Sequence, residues 1–431
     1  SLHRTLVLSL RPCVVRTLPE MSYTADAFAL LPPDVLYVVF SYCDVQTLGR
    51  LSCVCRRFNV FLKQSYIWNQ RSKNVVATNQ HDRRIVQRKK EKISTCDNRH
   101  RSLKHVWWHG AVRRWDLVDR QCTLARYMPW LQLERDALWY SRGSAILRLV
   151  RLADGSVAEQ PSLTLRGHSD DVGRFVCKGG LVVSGGNDGS LCIWTAAQGA
   201  LLHCRWRCSS KAISCVDYTQ NVVVTGSRDR TVKVLLYSVD SVSLPQLHVS
   251  SLGYSIPMWD RVCSVALSEC LLITGSAGCN GIAPLQAYDL STGTRVAVLG
   301  TDHRNGAGVL HVCTETPSEL LSCGYDTFVR LWDLRCPRNV CAWEDPHDSA
   351  VYCVASDHNV TVLSGTNRYG VVRLWDRRRT RPVKMYYVGR GNSPVYSLAF
   401  DPCYMYVALD RSLNLLSFTG PSWNPRASRE I

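Results

Sequence analysis

A repeat that runs from about residue 139 to residue 418 restricts the fold more than any other feature of this sequence. Five copies contain a turn rich in Ser, Thr and Gly, three of them with an Asp, and the first and last copies are decayed. Every copy ends on a large apolar residue after a β-rich segment. These final residues stand at 149, 194, 235, 288, 332, 375 and 418, which are 41 to 53 residues apart. The period predicts an all-β domain of seven similar units.

One copy is complete, and it resembles the WD40 repeat, the unit of a family of β-propellers. It contains Gly167-His168, Ser184, Asp188 and Trp194. The resemblance implies that His168, Ser184, Asp188 and Trp194 form a buried hydrogen-bonded tetrad, and their spacing within one repeat favours this role over a hydrolase triad. We expect the Gly after Ser or Thr to leave the second strand of each blade, and the Asp to hydrogen-bond within the next turn. Other copies keep fragments: Ser322, Asp326 and Trp332, or His347, Ser364 and Trp375.

The ring of blades has to close, because an open propeller would expose unpaired strand groups. After Phe418 the chain has only residues 420–431, which contain Pro421 and Pro425 and show no strand pattern. We therefore predict that residues 121–127, just before the first blade, supply the outer strand of the last blade.

Residues 31–68 have apolar residues at helical spacing in three phases. Pro33 and Asp34 suit the first turn of a helix, where free N–H groups and the helix dipole favour them. The pattern predicts three short helices that are too small to enclose a core of their own. Periodicity alone is equally compatible with a helical cap on the following domain.

The same segment resembles an F-box in the order and spacing of its residues. F-box proteins dock on Skp1 through this unit, and Skp1 links them to the cullin and RING subunits of a ubiquitin ligase. Two residues depart from the family: Cys43 stands where leucine is usual, and Phe58 where tryptophan is common. The resemblance implies that Leu31, Pro32, Val35, Leu36, Leu51 and Val54 form an exposed apolar surface that faces Skp1. The whole Skp1-binding set that it implies is Leu31, Pro32, Val35, Leu36, Phe40, Leu48, Leu51, Val54, Cys55, Phe58 and Trp68.

Residues 71–126 are strongly basic, with fifteen Lys and Arg against five acids, a net +10 of the +17 of the whole chain. Tryptophans and histidines are interleaved, as on a nucleic-acid surface. The alternative is a helical linker with solvated charges whose tryptophans pack on its neighbours. We favour the linker, because the aromatic residues cluster around 107–115 and the most basic run lies at 83–92. The basic runs are also compatible with nuclear import, so a cytoplasmic or nuclear location, or both, is expected.

Several classes of function lack their sequence signals. The twenty cysteines are scattered without a CxxC pair, which favours free thiols in a reducing compartment over a zinc site, so no metal or cofactor is expected. No run of 18 apolar residues predicts a membrane span. There is no GxxxxGK[ST], HExxH or GxSxG motif, so no enzymatic activity is expected. Residues 1–20 are Arg-containing and acid-poor, as in a transit peptide, but we favour a start at Met21.

The order of F-box, basic linker and seven WD40 blades resembles the F-box/WD-repeat family, over about residues 28–418. The family implies a non-catalytic substrate receptor of a Skp1–cullin–F-box (SCF) ubiquitin ligase, which gains rate by holding a protein substrate near the ligase. A WD40 scaffold without ligase duty and a nucleic-acid-associated adaptor remain as alternatives. The predicted parts are an extension (1–30), the F-box (31–75), the linker (76–120), a seven-bladed propeller (121–420) and a tail (421–431).

Two arginines are candidates for substrate binding. Arg228 lies where some F-box/WD-repeat receptors place an arginine against a phosphorylated degron, and Arg368 occupies the corresponding turn of a later blade. The planar guanidinium makes charge-assisted, bidentate contacts to phosphate. Residues 366–390 also hold eight Lys and Arg against Asp376 alone. We interpret these features as a site for an anionic or phosphorylated substrate; the alternative is that Arg228 only braces its own turn.

Overall fold

The computed structural model describes two parts of the chain, residues 31–63 and 129–418, and the backbone of a strand at 113–116. Within these parts the description omits residues 44, 153–154, 220, 241–245, 269, 280, 302, 359, 390, 402 and 411. The chain divides into two compact units, Ser1–Trp68 and Asn69–Ile431. No helix among the described residues has both the length and the apolar character needed to cross a membrane.

The described residues 31–63 of the first unit contain three helices: α1 (Pro33–Ser41), α2 (Val45–Leu51) and α3 (Arg56–Lys63). Helix α1 begins with proline and has Asp34 in its first turn, as predicted. The expectation that these helices enclose no core is wrong. Aromatic rings supply much of the buried area, since the Phe40 ring meets the edges of Phe58 at 5.2 Å and Phe61 at 5.7 Å. The core consists of Leu36, Phe40, Leu48, Phe58, Phe61 and Leu62.

The second unit is a propeller of seven four-stranded antiparallel sheets, with strands numbered in chain order from β1 (Arg113–Asp116). Blade 1 contains β2 (Leu131–Leu133), β3 (Ala137–Arg142), β4 (Ala145–Val150) and β5 (Leu163–Arg166). Blade 2 contains β6 (Val172–Lys178), β7 (Leu181–Gly186), β8 (Leu191–Thr195) and β9 (Leu201–Arg205). Blade 3 contains β10 (Ile213–Tyr218), β11 (Val222–Ser227), β12 (Thr231–Asp240) and β13 (Gln246–Pro257).

The remaining blades follow the same plan. Blade 4 contains β14 (Val262–Leu267), β15 (Leu271–Ser276), β16 (Leu285–Asp289) and β17 (Arg295–Leu299). Blade 5 contains β18 (Val309–Thr316), β19 (Glu319–Gly324), β20 (Phe328–Asp333) and β21 (Arg338–Glu344). Blade 6 contains β22 (Val351–Ser356), β23 (Thr361–Thr366), β24 (Val371–Asp376) and β25 (Lys384–Tyr387). Blade 7 contains β26 (Ser397–Phe400), β27 (Tyr404–Ala408) and β28 (Leu413–Ser417), and β1 is its outer strand. The predicted architecture, a small all-α unit followed by a seven-bladed propeller, is confirmed.

A strand from before the first blade closes the ring, but it is not the predicted one. Strand β1 pairs antiparallel with β28, and Arg113 stands opposite Ser417. The propeller therefore begins before residue 121, and residues 121–127 lie outside the described part of the chain. The sequence of β1 is Arg-Arg-Trp-Asp. An outer strand needs backbone pairing more than an apolar face, so hydrophobic alternation did not identify it.

The repeated glycine has a different role from the one predicted. Gly185, Gly226, Gly275 and Gly365 lie inside the second strands of their blades and do not leave them. A Cβ on Gly185 would stand 2.3 Å from Ile213, and one on Gly275 would stand 2.9 Å from Val309. Both neighbours belong to the first strand of the next blade. Glycine is therefore needed because adjacent blades approach closely at this position.

Hydrogen bonds between the first strands of neighbouring blades line the centre of the propeller. Asp217 on β10 joins three blades, because its carboxylate accepts from Lys178 Nζ of blade 2 at 2.9 Å and from Leu267 N of blade 4 at 2.8 Å. Across the closure, Leu131 N donates to Ser397 Oγ at 3.1 Å. The first strands thus surround a central channel.

Candidate functional sites

The exposed surface of the helical unit includes part of the predicted Skp1-binding set. Val35 is 39% exposed and Val54 is 68% exposed. Pro32 and Cys55 are also exposed, while Leu31 and Leu51 are partly buried against the core. The Arg57 guanidinium donates to the Leu31 carbonyl oxygen, which ties the segment before α1 to α3.

Four residues of that set are buried in the core: Leu36, Phe40, Leu48 and Phe58. The placement of Leu36 on the exposed surface is therefore wrong, and a contribution of the other three to Skp1 binding stays a prediction. Helical periodicity detected that they are apolar but not which of two apolar faces turns inward. Trp68, the last of the set, lies outside the described residues. The sequence interpretation missed exposed apolar residues on the same helices: Val38, Val39, Tyr42 and Val60.

The predicted tetrad of blade 2 is assembled around His168, with one additional member. His168 Nε2 lies 2.5 Å from Ser184 Oγ, and Nδ1 lies 2.7 Å from Ser190 Oγ. Ser190 donates to Asp188 Oδ1 at 2.6 Å, so Nδ1–H donates to Ser190 and Nε2 accepts from Ser184. The Trp194 ring lies 5.7 Å from the imidazole. Burial alone would raise the pKa of Asp188, but hydrogen bonds from His168 and Ser190 lower it well below its usual range.

Ser190 was missed, although the sequence contains a signal for it. A hydroxyl residue stands two positions after the turn Asp in blade 2 and again in blade 3. There, Thr231 Oγ1 donates to Asp229 Oδ1 at 2.6 Å. This spacing places the hydroxyl within reach of the carboxylate in a tight turn. The network is internal to the repeat and braces it, which agrees with the structural role predicted for the tetrad.

Blade 5 contains a similar network that the sequence showed only in part. Trp332 Nε1 donates to Ser322 Oγ at 2.8 Å, and the His303 ring stacks on Trp332 with centroids 6.1 Å apart. His303 Nε2 lies 3.3 Å from Asp326 Oδ2, and Arg330 pairs with the same carboxylate. His303 escaped notice because the loop before blade 5 has no Gly-His pair.

In blade 6 the histidine predicted to join the network does not do so. Trp375 Nε1 donates to Ser364 Oγ at 2.8 Å, but His347 is exposed. Instead, Asp345, in the segment before this blade, forms a buried ion pair with Arg373 on β24. An arginine on β24 thus makes the polar connection that a histidine makes in blade 2.

The two predicted substrate-binding arginines are exposed, and the turns that carry them lie on one face of the propeller. Arg228 lies between the second and third strands of blade 3, and Arg368 lies at the same place in blade 6. Because all blades have the same strand order, these turns lie on the same face, which we call the Arg228 face. The two arginines belong to blades three positions apart and do not form one cluster.

Arg228 belongs to a basic and aromatic cluster that sequence reasoning missed. Trp206 is 59% exposed and Trp259 is 70% exposed. Loop hydrogen bonds hold this cluster together: Arg228 N donates to Ala212 O at 3.0 Å, and Met258 N donates to Arg230 O at 2.8 Å. We call it the blade 3 patch, and its members are Trp206, Arg207, Lys211, Arg228, Arg230, Trp259 and Arg261.

The cations of the blade 3 patch are available to a partner. None of its arginines or its lysine forms an ion pair with a described carboxylate. The nearby carboxylates face backbone groups: Asp229 Oδ2 accepts from Ser210 N at 3.0 Å, and Asp260 Oδ2 accepts from Cys279 N at 2.8 Å. Arg207 and Arg230 have φ of 53° and 67°, a conformation that costs energy for a non-glycine residue and concentrates at functional sites.

The described cysteines are all free thiols, as the scattered pattern predicted. Burial raises the pKa of Cys215 and of Cys353 to about 12, so both are neutral near pH 7. Within the described ranges no group of three or more His, Cys, Asp or Glu is arranged to hold a metal ion.

Comparisons with known proteins agree with this division of the chain. A family model described as F-box-like matches residues 28–74, which include α1, α2 and α3. The model "WD domain, G-beta repeat" matches residues 159–195, 201–234 and 293–333. The F-box/WD repeat-containing protein 4 of Homo sapiens is 36% identical over 403 residues, covering 91% of this chain and 93% of the relative. The chain belongs to the F-box/WD repeat-containing protein family.

A second member of the family agrees with the first. The F-box/WD repeat-containing protein 4 of Mus musculus is 36% identical over 402 residues, with the same coverage of 91% and 93%. Segments 128–130, 306–310, 321–327, 343–349 and 369–378 had suggested a resemblance to dactylin, the fourth F-box/WD-repeat protein, and this similarity is confirmed. The WD40 model matches three segments of this F-box/WD repeat-containing protein, while the structure has seven blades. Leu235 and Phe418 at the tryptophan position show how far some copies have diverged.

Proposed function

We propose that this protein is the substrate-recognition subunit of an SCF ubiquitin ligase. Its F-box would dock on Skp1, and through Skp1 on cullin and RING subunits, while its propeller binds a protein substrate for ubiquitination and proteasomal degradation. The observation that carries the proposal is the presence in one chain of an F-box-like unit with exposed valines and of a complete propeller. In this function the protein catalyses nothing itself and works in the cytoplasm, the nucleus or both.

The surface of the helical unit supports docking through apolar contact. Val35, Val38 and Val54 are exposed on a unit of three short helices whose interior is already filled by aromatic and leucine side chains. Exposed apolar patches on small units mark interaction sites, because their burial is favourable by roughly 25 cal/mol per Å². The docking surface therefore consists of the exposed members of the predicted set, with Leu31 and Leu51 at its border.

The blade 3 patch supports an anionic substrate. It presents free guanidinium groups beside two exposed tryptophans on the Arg228 face. Guanidinium groups recognise carboxylate and phosphate by paired hydrogen bonds, and aromatic side chains anchor an extended segment. The substrate class proposed here is a protein with an acidic or phosphorylated segment. Arg368 lies apart from this patch and would contribute a separate contact.

Capture of Skp1 tests the proposal. Val54→Glu should abolish capture of Skp1 and cullin by the full chain, because a carboxylate would be buried in an apolar interface. Val60→Glu is the matched control, since Val60 is 62% exposed, as Val54 is 68% exposed, but lies outside the predicted docking set. Ubiquitination of substrates trapped by the F-box-deleted protein then separates a ligase receptor from a scaffold. Equal capture of Skp1 by both variants would refute the assignment of the surface.

A further inference from the structure

The central channel contains a cavity between the first strands of five blades. Trp130, which precedes the first strand of blade 1, also contributes to its wall. Its ring meets the edge of the His311 ring from blade 5, with centroids 5.2 Å apart, so this tryptophan reaches across the channel. The wall includes Arg174 and Val176 on β6, Val216 on β10, Val265 on β14, His311 on β18 and Val354 on β22.

Arg174 carries a positive charge into this cavity without a counterion. Its guanidinium carbon lies 3.8 Å from the centroid of the Trp130 ring, a cation–π contact. In the described part of the chain no carboxylate pairs with it and no acceptor takes a hydrogen bond from it. Burial is the largest influence on its pKa and lowers it. Arg174 is half-buried, and a partly desolvated cation without a counterion is less stable than a paired one, so this position favours a bound anion.

The other polar groups of the cavity do not supply the missing negative charge. The carboxylate of Asp217 is engaged by Lys178 and by the backbone of Leu267. The thiols nearest to Arg174 belong to Cys215, Cys263, Cys323 and Cys353, and burial raises the pKa of each of them, so they stay protonated.

A second donor in the cavity also lacks an acceptor. The Trp130 side chain is only 4% exposed, and its buried Nε1–H has no hydrogen-bond partner. Buried donors in folded proteins are nearly always paired. Both donors belong to residues that line the cavity, and neither has an acceptor among the described residues.

We propose that the central cavity binds an oxyanion, a phosphate or carboxylate group, through Arg174 and the indole N–H of Trp130. Such a group would supply the counterion for the guanidinium and the acceptor for the indole. The site lies inside the channel and is distinct from the blade 3 patch, whose arginines are exposed. It is also independent of Skp1 docking, so failure of either proposal leaves the other intact.

The first experiment measures binding of inorganic phosphate to the full chain by equilibrium dialysis, with acetate as competitor at constant ionic strength. The wild-type protein should bind one phosphate per chain saturably, and Arg174→Met should weaken binding by about tenfold or more, the loss of a charge-assisted hydrogen bond. Displacement by acetate at similar concentration would identify a carboxylate site, and resistance to acetate would identify a phosphate site. Absence of saturable binding of both anions to the wild-type protein overturns the proposal.

Thermal unfolding in chloride and in phosphate provides a second measurement. Phosphate stabilises many proteins through exclusion from their surface. The informative quantity is therefore the rise in melting temperature from chloride to phosphate in the wild type, minus the same rise in Arg174→Met; we call this difference the excess. Trp130→Phe, which keeps the ring and removes the N–H, should lose part of that excess. Arg295→Gln, which neutralises an exposed arginine on an outer strand outside both proposed sites, should keep all of it. In chloride, Arg174→Met should be at least as stable as wild type, because it removes a half-buried cation that has no counterion. If phosphate raises the melting temperature of Arg174→Met as much as that of the wild type, the site is refuted.

Discussion

Arg151 and Asp401 form a buried ion pair that joins the first and the last blade of the propeller. Their side chains are 5% and 2% exposed. Burial alone would lower the pKa of Arg151, but Asp401 and Tyr406 outweigh it and raise the pKa above its ordinary value. Tyr406 also accepts from Arg151 Nε at 2.7 Å and donates to the Gly155 carbonyl at 2.6 Å. The pair therefore acts as a clasp that connects blade 1 to blade 7 at the closure of the ring.

Asp401→Asn should lower the free energy of unfolding by about 3–5 kcal/mol, because it leaves the charge of Arg151 buried without a partner. The asparagine keeps an oxygen for the backbone N–H groups of Cys403 and Tyr404, which the Oδ1 of Asp401 accepts from at 2.7 and 2.8 Å. Urea unfolding followed by tryptophan fluorescence measures the change. Asp136→Asn is the control, since Asp136 is 74% exposed and 3.5 Å from Arg148, and should cost less than about 1 kcal/mol. Equal losses for both variants would contradict the clasp.

The blade 2 network should make stability depend on pH through Asp188. Its pKa is lowered in the folded state from the ordinary 3.8, so the folded protein binds this proton less readily than the unfolded one. The stabilisation is therefore present above about pH 4 and is lost as the pH falls below that value. Melting temperatures between pH 7 and pH 3 should fall less steeply for Asp188→Asn than for wild type. Asp170→Asn, an exposed neighbour, should retain the wild-type slope; an unchanged slope for Asp188→Asn would exclude this role.

Removal of β1 should destabilise the propeller. A chain that begins at residue 118 lacks Arg113–Asp116 and leaves β28 as an unpaired edge, which favours aggregation. A chain that begins at residue 105 keeps the strand. Size-exclusion chromatography and melting temperature compare the two. If the shorter chain stays monomeric and melts at the same temperature, the pairing of β1 with β28 does not contribute to closure.

Charge reversal in the blade 3 patch should abolish capture of an anionic substrate. Arg228→Glu with Arg230→Glu changes two exposed residues of the patch, and Arg295→Glu with Arg338→Glu makes the same change on outer strands. Substrates trapped by the F-box-deleted protein should be lost with the first pair and kept with the second. Phosphatase treatment then distinguishes phosphorylated from acidic segments. Arg368→Ala tests the separate contact in blade 6.

Two results would contradict this substrate class. Capture that is equal for both pairs would place the substrate elsewhere. Binding of single-stranded RNA or DNA that falls steeply with salt and disappears with the first pair would instead favour a nucleic-acid-associated adaptor.

The sequence alone determined the kind of fold, because each blade is built from residues close together in the chain. The Ser-Gly or Thr-Gly pair recurs in four copies and the final apolar residue in all seven, so their period predicted seven blades. Ser184 and Asp188 both join the network around His168, because one hairpin carries them. The F-box helices were recognisable for the same reason.

Only the tertiary structure decided which distant residues meet. Leu36 and Val35 are adjacent and equally apolar in the sequence, yet only packing among three helices buries one and exposes the other. His303 joins the blade 5 network through a loop of irregular length, and β1 reaches β28 across the whole domain. Nothing in the sequence distinguishes Arg174 from the other arginines, and only the folded propeller places it in a cavity lined by five blades. Local periodicity records the pattern within one repeat, whereas contacts between blades depend on loop lengths and on ring closure, which no single repeat contains.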